Sequence, residues 1–252
     1  MLRAVTADRL DDAHAAGRPA LGAWMVAPTE VSLGVLAAAE LDFVCIDTQH
    51  SLVTEAEAGR LLAPYVRSPV TTLVRMSAND TALIGRVLDA GANGVIVPMV
   101  EDGAEAAAAV AACRYPPLGV RSWGPLPGAG TREELTARAR CIVMIESARG
   151  LENMDEIVAT EGLAGVYVGP NDLSIGLGCT WSLDDPPERT VEAMRAIAAA
   201  CTAKGIIAGT HPTTGAGGAW AVSLGFGMVA VAVDTALLRA GVAREVSAAR
   251  RG

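Results

Sequence analysis

Eight short apolar runs recur along the chain: Leu21–Met25, Phe43–Ile46, Val70–Val74, Gly94–Val97, Ile142–Ile145, Gly165–Val168, Ile206–Gly209 and Met228–Val233. Each is continuously apolar rather than alternating, the pattern of a strand buried on both faces under covering helices. The stretches between them carry helix signals. Asp80 can cap a helix holding Leu83, Ile84, Val87 and Leu88, and Gly91 can stop it. Glu101 to Arg114 is Ala-rich and ends at Pro116-Pro117; Pro187 opens a helix to Lys204 that Gly205 stops, and Asp234 to Arg250 supplies the last. Alternating strand and helix predicts a parallel sheet with right-handed crossovers. Eight such units favour a closed (β/α)8 barrel over an open doubly wound sheet. An open sheet would carry a Gly-rich phosphate fingerprint after its first strand, where this chain has Val26-Ala27-Pro28-Thr29. One domain spanning 1–252 is expected, since a barrel of this type takes about 250 residues.

Composition supports this and removes some partners. Apolar residues make up 51% and aromatics 4%, so the core is aliphatic. The net charge of −8 offers nothing to a polyanion, which argues against nucleic acid. Cys45, Cys113, Cys141, Cys179 and Cys201 are odd in number and lack C-x2-C spacing, so reduced, mostly buried thiols in a cytoplasmic protein are expected. Met1 to Pro19 has no apolar h-region, so no signal peptide is expected. Gly205 to Val233 lacks charged residues, but His211-Pro212 and its glycines divide it into strand, loop, helix and strand rather than a membrane span. Gly119 to Thr131 is Gly- and Pro-rich, contains Arg121 and Trp123, and reads either as a lid or as a surface loop.

Barrel sites gather where strands end. Asp47 and His50 follow the second run, Arg75 the third, Glu146 the fifth, Asp172 the sixth, His211 the seventh and Asp234 the eighth, whereas the strand starts show no such pattern. Glu146 and Asp172 suit a hard cation such as Mg²⁺ or Mn²⁺, or else a surface salt bridge and a helix cap. Asp47 can fix the tautomer of His50 and make it a base; a structural histidine is the alternative. Arg75 can hold a carboxylate or an enolate oxygen, or pair with one of these acids. Asp234 reads as the cap of the last helix and His211 as a loop histidine. The chain has a single lysine, Lys204, placed before the seventh strand at the far end of the barrel. A Schiff-base aldolase needs its lysine in the pocket, so carbon–carbon chemistry here should use a metal instead.

Several stretches together resemble a known family: Ile46-Asp47-Thr48-Gln49-His50, Leu73-Val74-Arg75, Val97-Pro98-Met99-Val100, Arg114-Tyr115-Pro116-Pro117-x-Gly119-x-Arg121, Ile145-Glu146, Val168-Gly169-Pro170-Asn171-Asp172-Leu173-Ser174 and Val233-Asp234-Thr235. Their order and spacing, from about Gly17 to Leu238, are similar to the class II pyruvate aldolases of the 4-hydroxy-2-oxoheptanedioate aldolase and citrate lyase group. The resemblance implies a barrel of the phosphoenolpyruvate/pyruvate-binding type with a swapped C-terminal helix, assembled as a hexamer, a trimer of dimers. It implies Glu146 and Asp172 as ligands of Mg²⁺, Mn²⁺ or Co²⁺, with His50 as acid/base supported by Asp47. Arg75 would stabilise the enolate oxygen, and the backbone of Gly169, Pro170, Asn171 and Asp172 would hold the substrate carboxylate. Asp89 matches a position that reaches a neighbouring subunit's site. The implied substrates are a 2-oxo acid and an aldehyde; acyl-CoA cleavage, oxaloacetate decarboxylation and a non-catalytic barrel are the alternatives. Gln49 stands where many relatives have Glu, and Met144 where some have Gln, which leaves the aldehyde-side contacts open.

Overall fold

The computed structural model describes residues 8–127 and 129–251. Eight parallel strands close into a barrel in sequence order. They are β1 (Ala20–Met25), β2 (Phe43–Asp47), β3 (Thr71–Arg75), β4 (Gly94–Val97), β5 (Arg140–Met144), β6 (Gly165–Val168), β7 (Ile207–Thr210) and β8 (Met228–Val233). The helices are α1 (Arg9–Ala15), α2 (Glu30–Ala38), α3 (Glu55–Leu62), α4 (Thr81–Asp89), α5 (Gly103–Cys113) and α6 (Arg132–Arg138). The second half adds α7 (Ala148–Glu152), α8 (Met154–Val158), α9 (Pro170–Gly176), α10 (Glu188–Lys204), α11 (Gly215–Ser223) and α12 (Asp234–Ala249). All eight apolar runs are strands, and the expected boundaries are off by at most two residues.

The continuous runs are explained by two separate cores. Phe43, Cys45, Leu73, Ile96, Ile142, Met144, Tyr167, Met228 and Ala230 form one buried cluster, the barrel interior. Their strand neighbours Val44, Ile46, Val74, Val95, Val97, Val143, Val166, Val168 and Val229 join a second cluster with the helices. Successive side chains point to opposite faces of a strand, so both sets must be apolar. Interior space is tight: a Cβ at Gly209 would lie 2.5 Å from the Tyr167 ring, so only glycine leaves room for that tyrosine.

The helix signals hold where they rest on caps. Asp80 accepts from Leu83 N at 2.9 Å, and Gly205, with φ +69°, ends α10. Asp234 is a correction. The residue before α12 is Val233, and the Asp234 carboxylate instead accepts from Val26 N at 3.1 Å and Ala27 N at 3.0 Å, besides Thr235 N at 2.7 Å. It ties the end of β1 to the start of the last helix.

The strand starts also differ from expectation. Arg140, at the start of β5, is buried and pairs with Asp8 at 2.7 Å and with Asp11, while Thr71 at the start of β3 accepts from Leu10 N at 3.1 Å. Helix α1 lies across this end and buries Leu10 and Ala13 there. These polar groups close the floor of the barrel, where the sequence showed no polar pattern at the strand starts. The segment 119–131 is neither wholly surface nor free: Arg121 is buried against Asp89 at 2.7 Å and lies over the Tyr115 ring, while Trp123 is exposed.

Among the described residues no helix is long and apolar enough to cross a membrane. All five cysteines are free, and four are buried.

Candidate active site

The mouth of the barrel is built by the residues that end or follow the strands. Arg75 and Asp47 stand opposite each other in the β2–β3 register. Arg75 Nε donates to Asp47 Oδ1 at 2.9 Å, and its terminal nitrogen reaches Asp47 Oδ2. Both residues are buried, Arg75 to 5% exposure and Asp47 fully. Trp24, at the inward end of β1, donates its indole N–H to Asp47 Oδ2 at 3.1 Å, and the Arg75 guanidinium sits 5.0 Å from its ring centre. Burial alone would raise the Asp47 carboxyl. The bonds and charge of Arg75 outweigh it, with help from His50 N and Trp24, and hold Asp47 below the usual carboxylate range.

The expected contact between Asp47 and the His50 ring is not made. Asp47 Oδ1 accepts from the backbone N–H of Gln49 at 2.9 Å and of His50 at 3.0 Å. With both carboxylate oxygens engaged by Arg75, Trp24 and these amides, Asp47 shapes the loop that presents His50, whose side chain is exposed. Gln49 Oε1 is buried without a partner among the described residues.

On the other side, Glu146 lies two residues past β5 and is 3% exposed. Its Oε1 accepts from Met99 N at 2.8 Å. Met99 adopts φ +52°, a left-handed conformation that strains a non-glycine residue by about 1 kcal/mol or more. Among the described residues Oε2 of Glu146 has no hydrogen-bond partner. A Cβ at Gly169 would fall 2.6 Å from that oxygen and 3.2 Å from Met144 Cε, so a larger residue there would displace the Glu146 carboxylate. Burial pushes the Glu146 carboxyl up to about 7; the Met99 N–H opposes this, nearby Asp172 adds to it, and Arg75 opposes it. Asp172 sits in the first turn of α9, whose flanking residue is Gly169, so Asp172 is not the cap.

His211, read as a loop histidine, belongs to the same mouth. Its ring stacks on Trp24 at 5.0 Å and on Tyr167 at 5.7 Å. Its Nδ1 is buried without a partner among the described residues, as is the Tyr167 hydroxyl. Burial pushes His211 down to about 4; Arg75 and His50 press the same way against Asp47. It is therefore a neutral ring beside the charged pair. Trp24 and Tyr167 were missed altogether. The available signal was alternation: both fall on inward positions of strands whose ends carry polar residues. Asp89 is not at this mouth but holds Arg121, and Lys204 is exposed at the end of α10, on the opposite side of the barrel.

A closed parallel barrel whose C-terminal mouth gathers an arginine–aspartate pair, two neighbouring carboxylates and two histidines defines a (β/α)8-barrel enzyme. The chain belongs to the HpcH/HpaI aldolase/citrate lyase family, which it matches over residues 21–240. It is 34% identical to a hydroxypyruvate/pyruvate aldolase of Rhizorhabdus wittichii, over 93% of this chain and 95% of that protein. It is 36% identical to a 4-hydroxy-2-oxo-heptane-1,7-dioate aldolase of Salmonella typhimurium, over 96% of this chain and 93% of that one. A solved structure of a family member from Burkholderia cenocepacia superposes with a TM-score of 0.87 at 26% identity, covering 96% of this chain and 98% of the other. The protein is a carbon–carbon lyase of the aldolase type.

Proposed function

We propose that the protein is a divalent-metal-dependent aldolase that cleaves 4-hydroxy-2-oxo acids to a pyruvate-like 2-oxo acid and an aldehyde, and runs the reverse addition. The observation that carries this reading is Glu146: a buried carboxylate with one oxygen unpartnered, raised by burial and by Asp172 beside it. Two such groups repel unless a cation lies between them, and an all-oxygen donor pair suits Mg²⁺, Mn²⁺ or Co²⁺. Among the described residues no three His, Cys, Asp or Glu side chains converge, so a cation here would rest on these two carboxylates and keep several waters. When bound it supplies Lewis-acid polarisation of the substrate's 2-oxo group.

The chain's own residues supply the rest. Arg75, locked by Asp47 and Trp24, offers a fixed positive group to the oxygen that gains charge as the C3–C4 bond breaks. His50, exposed at the mouth on a loop that Asp47 shapes, moves the proton to or from C3. The turn from Gly169 through Pro170 and Asn171 to Asp172 lies against Glu146 and receives the substrate carboxylate. Neutral His211 keeps a second positive charge away from Arg75.

The reading includes a cytoplasmic homo-oligomer, a hexamer in which α12 crosses to a neighbouring barrel. Helix α12 buries none of its residues, and Leu238, Val242 and Val246, four apart along one face, are all exposed.

Proton NMR of pyruvate in D2O tests the chemistry. The methyl signal should decay with Mg²⁺ or Mn²⁺, persist in EDTA, and persist in a His50→Ala variant. Persistence with every metal in the wild type would overturn the reading.

A further inference from the structure

We infer that Glu55 is a positioning residue of this site, the carboxylate that sets the separation between the His50 loop and the Arg75 strand end. The inference rests on the aldolase reading above for its consequence, though not for its geometry. Glu55 is the first residue of α3 and is 8% exposed. Its Oε1 accepts from Thr48 Oγ1 at 3.1 Å, from Ser77 N at 3.0 Å and from the Ser77 hydroxyl. Thr48 follows β2 and stands two residues before His50. Ser77 follows β3 and stands two residues after Arg75. Thr48 is also bound back to Arg75, whose carbonyl accepts from Thr48 N at 2.9 Å, and the single hydroxyl hydrogen of Thr48 is shared between that carbonyl at 2.7 Å and Glu55 Oε1. One oxygen thus joins the two loops that carry the proton-moving and anion-holding candidates.

This is not helix capping. Thr54 caps α3 and exchanges hydrogen bonds with Glu57 in a complete capping box, so the helix start is satisfied without Glu55. A carboxylate serving the helix alone could face water. Glu55 is turned inward, and its burial is offset by bonds from Ser77 and Thr48, which hold it below the usual carboxylate range. A shift of about 1 Å between catalytic groups lowers turnover about a hundredfold, so the link has a kinetic consequence.

All three donors converge on one oxygen, and this sets the test. Glutamine presents the same acceptor in the same place without charge, and alanine presents none. Turnover, KM, thermal unfolding and hydrogen exchange of peptides covering 47–51 and 75–79 would be measured for Glu55→Gln, Glu55→Ala and Thr54→Ala. The alanine variant at 55 should lose about a hundredfold in kcat with little change in KM, and both peptides should exchange faster together. The glutamine variant should keep turnover and protection. Thr54→Ala loosens the same helix start without touching either loop, so it should lower the unfolding temperature while leaving kcat and both peptides as in the wild type. A glutamine variant as impaired as the alanine variant would overturn the inference, as would equal kinetic losses in Thr54→Ala. Unchanged exchange at 47–51 and 75–79 in Glu55→Ala would overturn it even if the wild type proved inert toward pyruvate, a result that would instead refute the aldolase reading.

Discussion

Glu146→Gln should change how the metal-free protein responds to pH. In the folded chain the Glu146 carboxyl is pushed up to about 7, against an ordinary value of 4.5. Between these values the folded chain holds a proton that the unfolded chain has released. Stability therefore falls as pH rises through that window, and is flat with respect to this group above it. At about 1.4 kcal/mol for each tenfold change in proton affinity, the full loss is about 3 kcal/mol. Glutamine cannot ionise, so the variant escapes it. Urea unfolding in EDTA at a series of pH values from 4.5 to 8 would measure this. The variant should gain about 3 kcal/mol on the wild type across that range, mostly before pH 7. Adding Mg²⁺ at pH 8 should restore the wild type and leave the variant unchanged, because a ligand stabilises only the state that binds it. Parallel pH curves for the two proteins would refute the reasoning, because Glu146 would then be solvated or already neutralised.

Arg75→Lys keeps the charge but loses the planar fork that meets both Asp47 oxygens, so turnover should fall about a hundredfold or more while the protein stays folded; a loss under threefold would show that the fork is not needed. His211 should stay neutral from pH 8 down to 5, with its ring-proton NMR signal moving only near pH 4, and a midpoint near the ordinary 6.5 would contradict the buried stack. Because the unfolded ring binds a proton below 6.5 and the folded ring only near 4, His211→Phe should also remove a loss of stability as pH falls through that window. Leu238→Glu combined with Val242→Glu places charge on the exposed face of α12 and should shift sedimentation toward a smaller species without unfolding the barrel; an unchanged sedimentation coefficient would rule that face out as the interface.

The barrel was legible because most strands are buried on both faces, so apolar continuity marked the strands directly. Arg75, Glu146 and Asp172 were legible because polar residues at strand ends break that continuity. Their relations were less so. Asp47 and His50 are three apart, which suggests a side-chain pair, yet the carboxylate is consumed by Arg75 from the next strand and by Trp24 from β1. Asp234 beside Thr235 has the look of a local cap, but its partners Val26 and Ala27 lie across the seam where the barrel closes. Trp24, Tyr167 and His211 come together from β1, β6 and β7. Local pattern gives each residue's side of the strand, and only closure decides which inward residues meet.

The seam also orders events in time. Strands β1 and β8 are hydrogen-bonded neighbours, and Asp234 clasps amides 208 and 207 positions earlier in the chain. Trp24 is made early during synthesis, but its stacking partner His211 arrives almost two hundred residues later. Contacts this distant in sequence form slowly, and until they form the strands on either side of the gap are open edges that other chains can join. The mouth therefore cannot be complete until His211 and Asp234 have been made. The step that completes the site also removes the exposed edges.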